Sequence, residues 1–224
     1  MVGITGSNGK TTTKELVNKV LATQFRTKST QGNYNNHIGV PLTLLDFDEN
    51  TEIGVVEMGA NHLKEIKFLC QLAKPDIGLI TNFGQAHLEG FGGIEGVIKG
   101  KSEMYEYLSK AGGTIILNID DHLQRNWLSH NPHYTFGEDI NANCCVKYLR
   151  RKHKPLSLIV ENTMIESKMY GEYNFSNLAA AVALGKFFDL SLEKINKGIS
   201  SYLSNNNRSQ IILKGSNRIT LDAY

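Results

Sequence analysis

Near its start the chain carries Gly3-Ile4-Thr5-Gly6-Ser7-Asn8-Gly9-Lys10-Thr11-Thr12. A glycine-rich turn between a strand and a helix lets successive backbone N–H groups point at phosphate oxygens, and the helix N-terminus adds positive potential there. In such a loop Lys10 reaches the β- and γ-phosphates of a nucleoside triphosphate and the Thr11 hydroxyl ligates Mg2+, while Gly6, Ser7, Asn8, Gly9 and Thr12 complete the cradle. The spacing departs from the common G-x-x-x-x-G-K-[ST] loop: five places before Gly9 stands Ile4, and Gly6 is an additional glycine inside the turn. An ordinary strand-to-helix turn, with glycine for close packing, is the competing reading. Gly-Lys-Thr with a strand before and a helix after favours phosphate.

Other candidates stand where strands end, which is where ligands bind in an open α/β sheet. Glu57 closes the apolar run Ile53-Gly54-Val55-Val56 and is a hard-oxygen donor suited to Mg2+; by itself it reads equally as a solvated glutamate. His87 sits in the glycine-framed loop Asn82 to Gly92 after Asp76–Thr81, and could ligate metal or contact phosphate. A single histidine is more often structural. Lys99-Gly100-Lys101 resembles a solvated helix face, and the spacing singles out neither lysine. Asn174 or Ser176 can cap a helix, and an asparagine side chain in the stretch 171–181, being both donor and acceptor, can instead pair with an adenine edge. Arg208 is a phosphate clamp or a surface arginine. The chain has no H-E-x-x-H, no zinc-spaced Cys/His set and no G-x-S-x-G elbow.

The elements that must position these residues alternate. Leu16, Val17, Val20 and Leu21 form a helical stripe; Ser29 to Asn36 reads as a polar loop before the apolar stretch Gly39–Leu45. Strand-like runs at 53–59, 76–81 and 114–119 alternate with helical patterns at 63–72 and 96–108, which predicts an α/β fold: a mostly parallel sheet flanked by helices. From residue 141 to 170 short runs split by turns predict a small antiparallel β subsheet. Helices at 175–187 and 192–203 and a hairpin at 210–221 follow.

The 224 residues are 41% apolar with a formal charge of +2, enough for a core and too balanced to argue for nucleic acid or an anionic membrane. No apolar run approaches the ~18 residues of a membrane span. Cys70, Cys144 and Cys145 form no C-x-x-C pair and read as reduced cytosolic thiols. Met1 to Thr5 are all that precede the loop, and Asp222-Ala223-Tyr224 follow a strand directly, an arrangement expected of a piece of a longer protein.

Taken in order, the Thr5–Thr11 loop, Glu57, His87, Lys101, Asn177, Arg208 and Asp222 resemble the successive motifs of the Mur ligase family, whose phosphate loop reads T-G-[ST]-N-G-K-[ST]. The resemblance spans nearly the whole chain apart from 141–170. Residues 32–44, 57–62 and 86–92 resemble the branch that joins D-alanyl-D-alanine to a UDP-N-acetylmuramoyl-tripeptide, and Leu221-Asp222-Ala223-Tyr224 resembles the start of its D-A-Y-N-A-N-P signature. Leu63-Lys64 depart from the Pro-Gly of many members.

The resemblance implies that residues 1–224 are a P-loop NTPase-like central ATP-binding domain, with an N-terminal UDP-binding domain and a C-terminal domain absent from the chain. It implies a monomeric bacterial cytoplasmic ligase of peptidoglycan precursor synthesis, with neither membrane nor nucleic acid as partner. ATP phosphorylates the substrate carboxylate, and the dipeptide amine attacks the acyl phosphate. Lys10, His87 and Lys101 would be catalytic. Thr11 and Glu57 would hold one Mg2+, and His87 with Lys101, as a carbamylated lysine, a second. Asn177 would contact adenine, Arg208 phosphate and Asp222 ribose; Thr30, Asn33, Asn35 and Asn36 would face the nucleotide-peptide. A different muramyl-peptide ligase, a folylpolyglutamate synthase, and a P-loop kinase or noncatalytic nucleotide-binding module are the rival readings.

Overall fold

A computed structural model describes residues 1–129, 132–151, 154–204, 210–214 and 217–221. Its large sheet consists of β1 (Val2–Thr5), β2 (Thr27–Ser29), β3 (Ile53–Glu57), β4 (Ile77–Ile80), β5 (Thr114–Asn118), β6 (His133–Gly137) and β7 (Cys144–Cys145). The order is β2-β3-β1-β4-β5-β6-β7, and every neighbouring pair is parallel. The helices are α1 (Lys10–Leu21), α2 (Gly39–Leu45), α3 (Glu65–Ala73), α4 (Leu88–Phe91), α5 (Ile94–Ala111), α6 (Phe175–Phe187) and α7 (Leu192–Ser201). Strands β1, β3 and β4 are buried along their whole length, which is why they read as unbroken apolar runs rather than alternating ones.

The two sheet faces build separate cores. Val2, Ile4, Leu16, Val20, Leu178 and Val182 pack on one side, where α1, α6 and α7 lie. Val56, Ile66, Leu69, Met104 and Leu108 pack on the other, under α3 and α5. Residues Asn177 to Gly185 of α6 are all buried, so that helix shows no polar face.

The antiparallel subsheet comprises β8 (Lys147–Leu149), β9 (Ser157–Val160) and β10 (Thr163–Glu166). It starts later than residue 141: Cys144 and Cys145 pair in parallel with Phe136 and Gly137 and so extend the large sheet. The hairpin of β11 (Gln210–Lys214) and β12 (Asn217–Leu221) is antiparallel, as expected. β2, β6 and α2 are additions to the sequence reading. A three-residue strand offers too little periodicity to detect, and His133-Tyr134-Thr135-Phe136-Gly137 mixes polar and apolar side chains on a strand nearer the sheet edge.

Beyond Leu79 and Ile116 the β4–β5 ladder stops, and buried side chains take over its polar groups. The Ile80 N–H donates to the Tyr105 hydroxyl (3.1 Å), which lies 2.9 Å from the Ile116 carbonyl and 3.2 Å from Gln124 Oε1. Gln124 donates to the Ile80 carbonyl (3.0 Å) and accepts from the Asn118 N–H (3.0 Å). This network lets the strands part at their carboxyl ends without orphaning backbone groups. Gln124→Leu strips partners from both Ile80 and Asn118 and is expected to lower unfolding free energy by roughly 2–4 kcal/mol in urea titrations; an unchanged midpoint would contradict it.

Candidate functional site

Chain order makes β1 the turning point. The chain builds β2 and β3 on one side of β1 and then crosses to β4 on the other, so the carboxyl ends of β3, β1 and β4 flank the switch point where ligands enter such sheets. Three segments meet there: the loop after β1, Glu57 at the end of β3, and residues 81–87 after β4.

The loop after β1 lies directly on the end of β4. Gly6 adopts φ +138°, and a Cβ there would stand 2.0 Å from Thr81 Oγ1. Gly9 adopts φ +79°, and its Cβ would meet Asn177 Oδ1 at 2.3 Å. Both glycines are therefore demanded by conformation and by space. The Asn8 peptide is held at both ends: its N–H donates to Asn82 Oδ1 (3.1 Å), and its carbonyl accepts from Thr81 Oγ1 (2.6 Å) and Asn82 Nδ2 (3.0 Å). Ser7 donates through its hydroxyl to the Gly84 carbonyl (2.9 Å) and through its N–H to the Asn82 carbonyl (3.1 Å). α1 then begins with no side-chain cap and no acid in its first turn, so its positive end remains available to an anion. Lys10 Nζ folds back onto the Ser7 carbonyl at 2.9 Å.

Beside the loop, Glu57 is 1% exposed. Its Oε1 accepts from Thr11 Oγ1 (3.0 Å) and Asn35 Nδ2 (2.7 Å). Its Oε2 is buried with no hydrogen-bond partner. A buried carboxylate oxygen left unpaired is costly unless a cation reaches it, and a hydroxyl plus a carboxylate next to a phosphate loop is the donor set Mg2+ takes alongside phosphate oxygens. These residues fit the ion. No group of three His, Cys, Asp or Glu side chains converges among the described residues, so the remaining ligands would come from nucleotide and water.

The residues expected at a second cation site stand at the start of α4 and on α5. Phe91 lies across α5 where Gly96 and Gly100 leave room for it: a Cβ on Gly100 would meet the Phe91 ring at 2.4 Å, and one on Gly96 its carbonyl at 1.8 Å. That packing holds His87, at the start of α4, near Lys101 on α5. Lys101 is 1% exposed, donates to the Ala60 carbonyl (3.1 Å) and has its Nζ 5.1 Å from the Phe91 ring centre. Burial, then the charge of Lys10, pulls its pKa down to about 7. His87 is exposed; residual desolvation, then the charges of Lys101 and Lys10, hold its pKa below the ordinary imidazole value. Lys10, His87 and Lys101 therefore sense one another, and a neutral imidazole is the form that ligates metal.

The remaining expected residues divide. Asn35 reaches Glu57, while Asn33 is exposed and Asn36 caps α2 through the Ile38 and Gly39 N–H groups. Thr30, expected to face substrate, is instead fully buried: its hydroxyl accepts from the Glu57 N–H (3.0 Å), which makes it a support for the carboxylate. Asn177 is 5% exposed and spends its amide inside the protein, accepting from Thr13 Oγ1 (3.1 Å) and donating to Asn174 Oδ1 (3.0 Å) beneath Gly9. Thr12 is buried in the first turn of α1. Arg208 and Asp222 lie outside the described residues. Three contributors escaped the sequence reading: Thr81 and Asn82, whose signal is polar residues at a strand end, and Lys14, a lysine on the buried face of α1 with Val17 and Leu21.

Two outcomes test this geometry. Gly6→Ala is expected to weaken ADP binding by at least about tenfold in calorimetric titrations, because the strain and clash fall in the loop itself. For Lys101, the unfolded chain holds its proton up to the ordinary value of 10.5, whereas the folded state releases it near 7. Between these values the unfolded state binds more protons, so stability should rise with pH across that window. The penalty is full below about 7 and gone above 10.5, and Lys101→Met should flatten the urea-midpoint profile.

Residues 4–185 match the family described as Mur ligase middle domain. The UDP-N-acetylmuramoyl-tripeptide--D-alanyl-D-alanine ligase of Bacillus subtilis (strain 168) is 38% identical over all of this chain and 49% of its own length. The ligase of the same name from Escherichia coli (strain K12) is 32% identical over 99% of this chain and 51% of its own. Among solved structures, MurF from Acinetobacter baumannii superposes with a TM-score of 0.90 at 31% identity, covering all of this chain and 50% of that one. MurF ligase from Thermotoga maritima in complex with ADP gives 0.85 at 27%, covering all of this chain and 53% of that one. The chain thus spans about half the length of the relatives it matches. With the phosphate loop, the strand-end glutamate and the parallel sheet in place, the chain belongs to the Mur ligase family.

Proposed function

We propose that this chain is the ATP-binding central domain of a ligase that joins D-alanyl-D-alanine to UDP-N-acetylmuramoyl-tripeptide in the bacterial cytoplasm. The observation that carries the nucleotide part is the 3.0 Å contact of Thr11 with the buried, half-satisfied Glu57 beside the clamped loop. The substrate part rests on the names of the relatives and on the Asn33–Asn36 segment next to the carboxylate. The half of the relatives' length that this chain does not span would supply the UDP-sugar and dipeptide sites, and the whole protein would act as a monomer.

In this reading Mg·ATP supplies the phosphoryl group that activates the substrate carboxylate. The chain's own residues gather charge for the encounter of two anions. Loop N–H groups and Lys10 would orient the phosphates, and Thr11 with Glu57 would hold a Mg2+ ion that offsets their charge. His87 and Lys101 would complete a second cation site. The buried amine of Lys101 titrates near 7, which favours the neutral nucleophile. With CO2 its nitrogen lone pair forms the N–C bond and a proton leaves to solvent, giving a carbamate anion. A carbamate resonance from 13C-labelled bicarbonate, lost in Lys101→Arg, would support this; its absence from the wild type at neutral pH would remove the carbamate from the reading.

The isolated domain is expected to bind Mg·ATP and to form no amide from the two substrates. Glu57→Gln should reduce Mg·ATP affinity about tenfold or more and leave Mg-free ATP affinity nearly unchanged, because only the cation contact is lost. In a longer protein containing this domain, phosphate release should require both the UDP-sugar tripeptide and D-alanyl-D-alanine. Robust amide synthesis by the isolated chain, or turnover with glutamate-type amines, would overturn the assignment.

A further inference from the structure

We propose that the buried ammonium of Lys14 is a positioning group that locks the 30–36 segment to α1, so that the helix that starts at the phosphate loop also sets Glu57 and its neighbour Asn35. The proposal rests on the nucleotide-binding reading above and adds to it a residue that acts through others.

Lys14 lies one helical turn after Lys10, so α1 carries two ammonium groups in register. Lys10 turns back to the Ser7 carbonyl; Lys14 is 0% exposed and points the other way, into the 30–32 backbone. Its Nζ donates to the Thr30 carbonyl at 2.6 Å and to Glu15 Oε1 at 2.5 Å, and stands 3.5 Å from the Gly32 carbonyl. The three donors of an ammonium thus face three acceptors.

Thr30 passes the constraint on. Its N–H donates to the Val55 carbonyl (3.0 Å), which carries the β2–β3 pairing one residue past the strand, and its hydroxyl accepts from the Glu57 N–H (3.0 Å). Asn35 closes the circuit, donating to Glu57 Oε1 (2.7 Å) while its carbonyl accepts from the Gly59 N–H (2.7 Å). Helix periodicity calls for an apolar residue at 14, on the stripe with Val17 and Leu21. Burying an ammonium beside a glutamate whose side chain is 31% exposed is a poor route to stability. It is a good route to specificity, because an irregular polar segment has no ladder of its own to define its path.

The test compares wild type with Lys14→Met, which keeps the side-chain length and removes the donors. Amide hydrogen exchange across 30–36 is measured by mass spectrometry, free and with Mg·ADP, and ADP affinity is measured by calorimetry with and without Mg2+. In the free variant, exchange at Thr30, Tyr34 and Asn35, whose N–H groups are hydrogen-bonded, should accelerate while α1 remains protected. Mg-free ADP affinity should stay within about twofold, and the gain in affinity brought by Mg2+ should shrink about tenfold, the scale of one charged hydrogen bond. A purely structural lysine would lower both affinities together.

Unchanged exchange at Thr30, Tyr34 and Asn35, or equal losses with and without Mg2+, would overturn the proposal. Wild type that binds no ADP would sink the nucleotide reading instead, while the exchange comparison in the free protein still judges the anchor. Should Lys14→Met not fold, Thr30→Ala decides. It leaves the carbonyl that Lys14 holds and cuts the link to the Glu57 N–H, so the Mg2+ gain should fall with the residue-30 amide still protected by the Val55 carbonyl; an intact Mg2+ gain would refute the relay.

Discussion

A carboxylate buried at the end of a parallel strand is costly in free energy and must be surrounded by donors. Glu57 meets that requirement on one oxygen only. Thr11 and Asn35 share Oε1, Thr30 takes the backbone N–H, and Oε2 has no hydrogen-bond partner. Much of the local architecture follows from this arrangement. α1 must start close to β3 for Thr11 to arrive, which requires the turn after β1 to be short and tight. The 30–36 segment must double back over β3 for Asn35 to arrive.

The turn is as short as backbone contact allows. Gly6 runs against Thr81 and Gly9 against Asn177, and the Asn8 peptide is gripped from the β4 side by Thr81 and Asn82. The loop therefore needs no ligand to hold its path, which fits the preorganisation that charge-stabilising sites depend on. Around it stand Lys10, His87 and Lys101. Desolvation first, then the charges of its neighbours, lowers the pKa of His87 and of Lys101.

Much of this was legible in the chain itself. The phosphate loop, the buried strands and the helix stripe of α1 carry local signals: glycine spacing, apolar runs, 3.6-residue periodicity. Glu57 and His87 were readable as residues at strand ends, though neither stood out from a solvated side chain until its neighbours were known. Lys101 looked like half of a solvated lysine pair. It is buried because Gly96 and Gly100 let Phe91 lie across α5, a packing fact that no spacing rule conveys. Thr30 is turned inward for a related reason. A threonine in an asparagine-rich stretch resembles a binding residue, yet its backbone continues the pairing with β3 and turns the hydroxyl inward.

The sequence by itself determined the types of the strongly patterned elements, the position of the turn after β1 and the chemistry it can support, because those depend on residues within a few places of one another. The tertiary structure alone decided which distant groups meet: Thr11 with Glu57, Asn8 with Asn82, Lys14 with Thr30, Lys101 with Ala60. Strand order does this. A parallel sheet that reverses direction around β1 brings the carboxyl ends of β3 and β4 to either side of the loop, and the burial that gives Glu57 and Lys101 their properties exists only once both faces are covered.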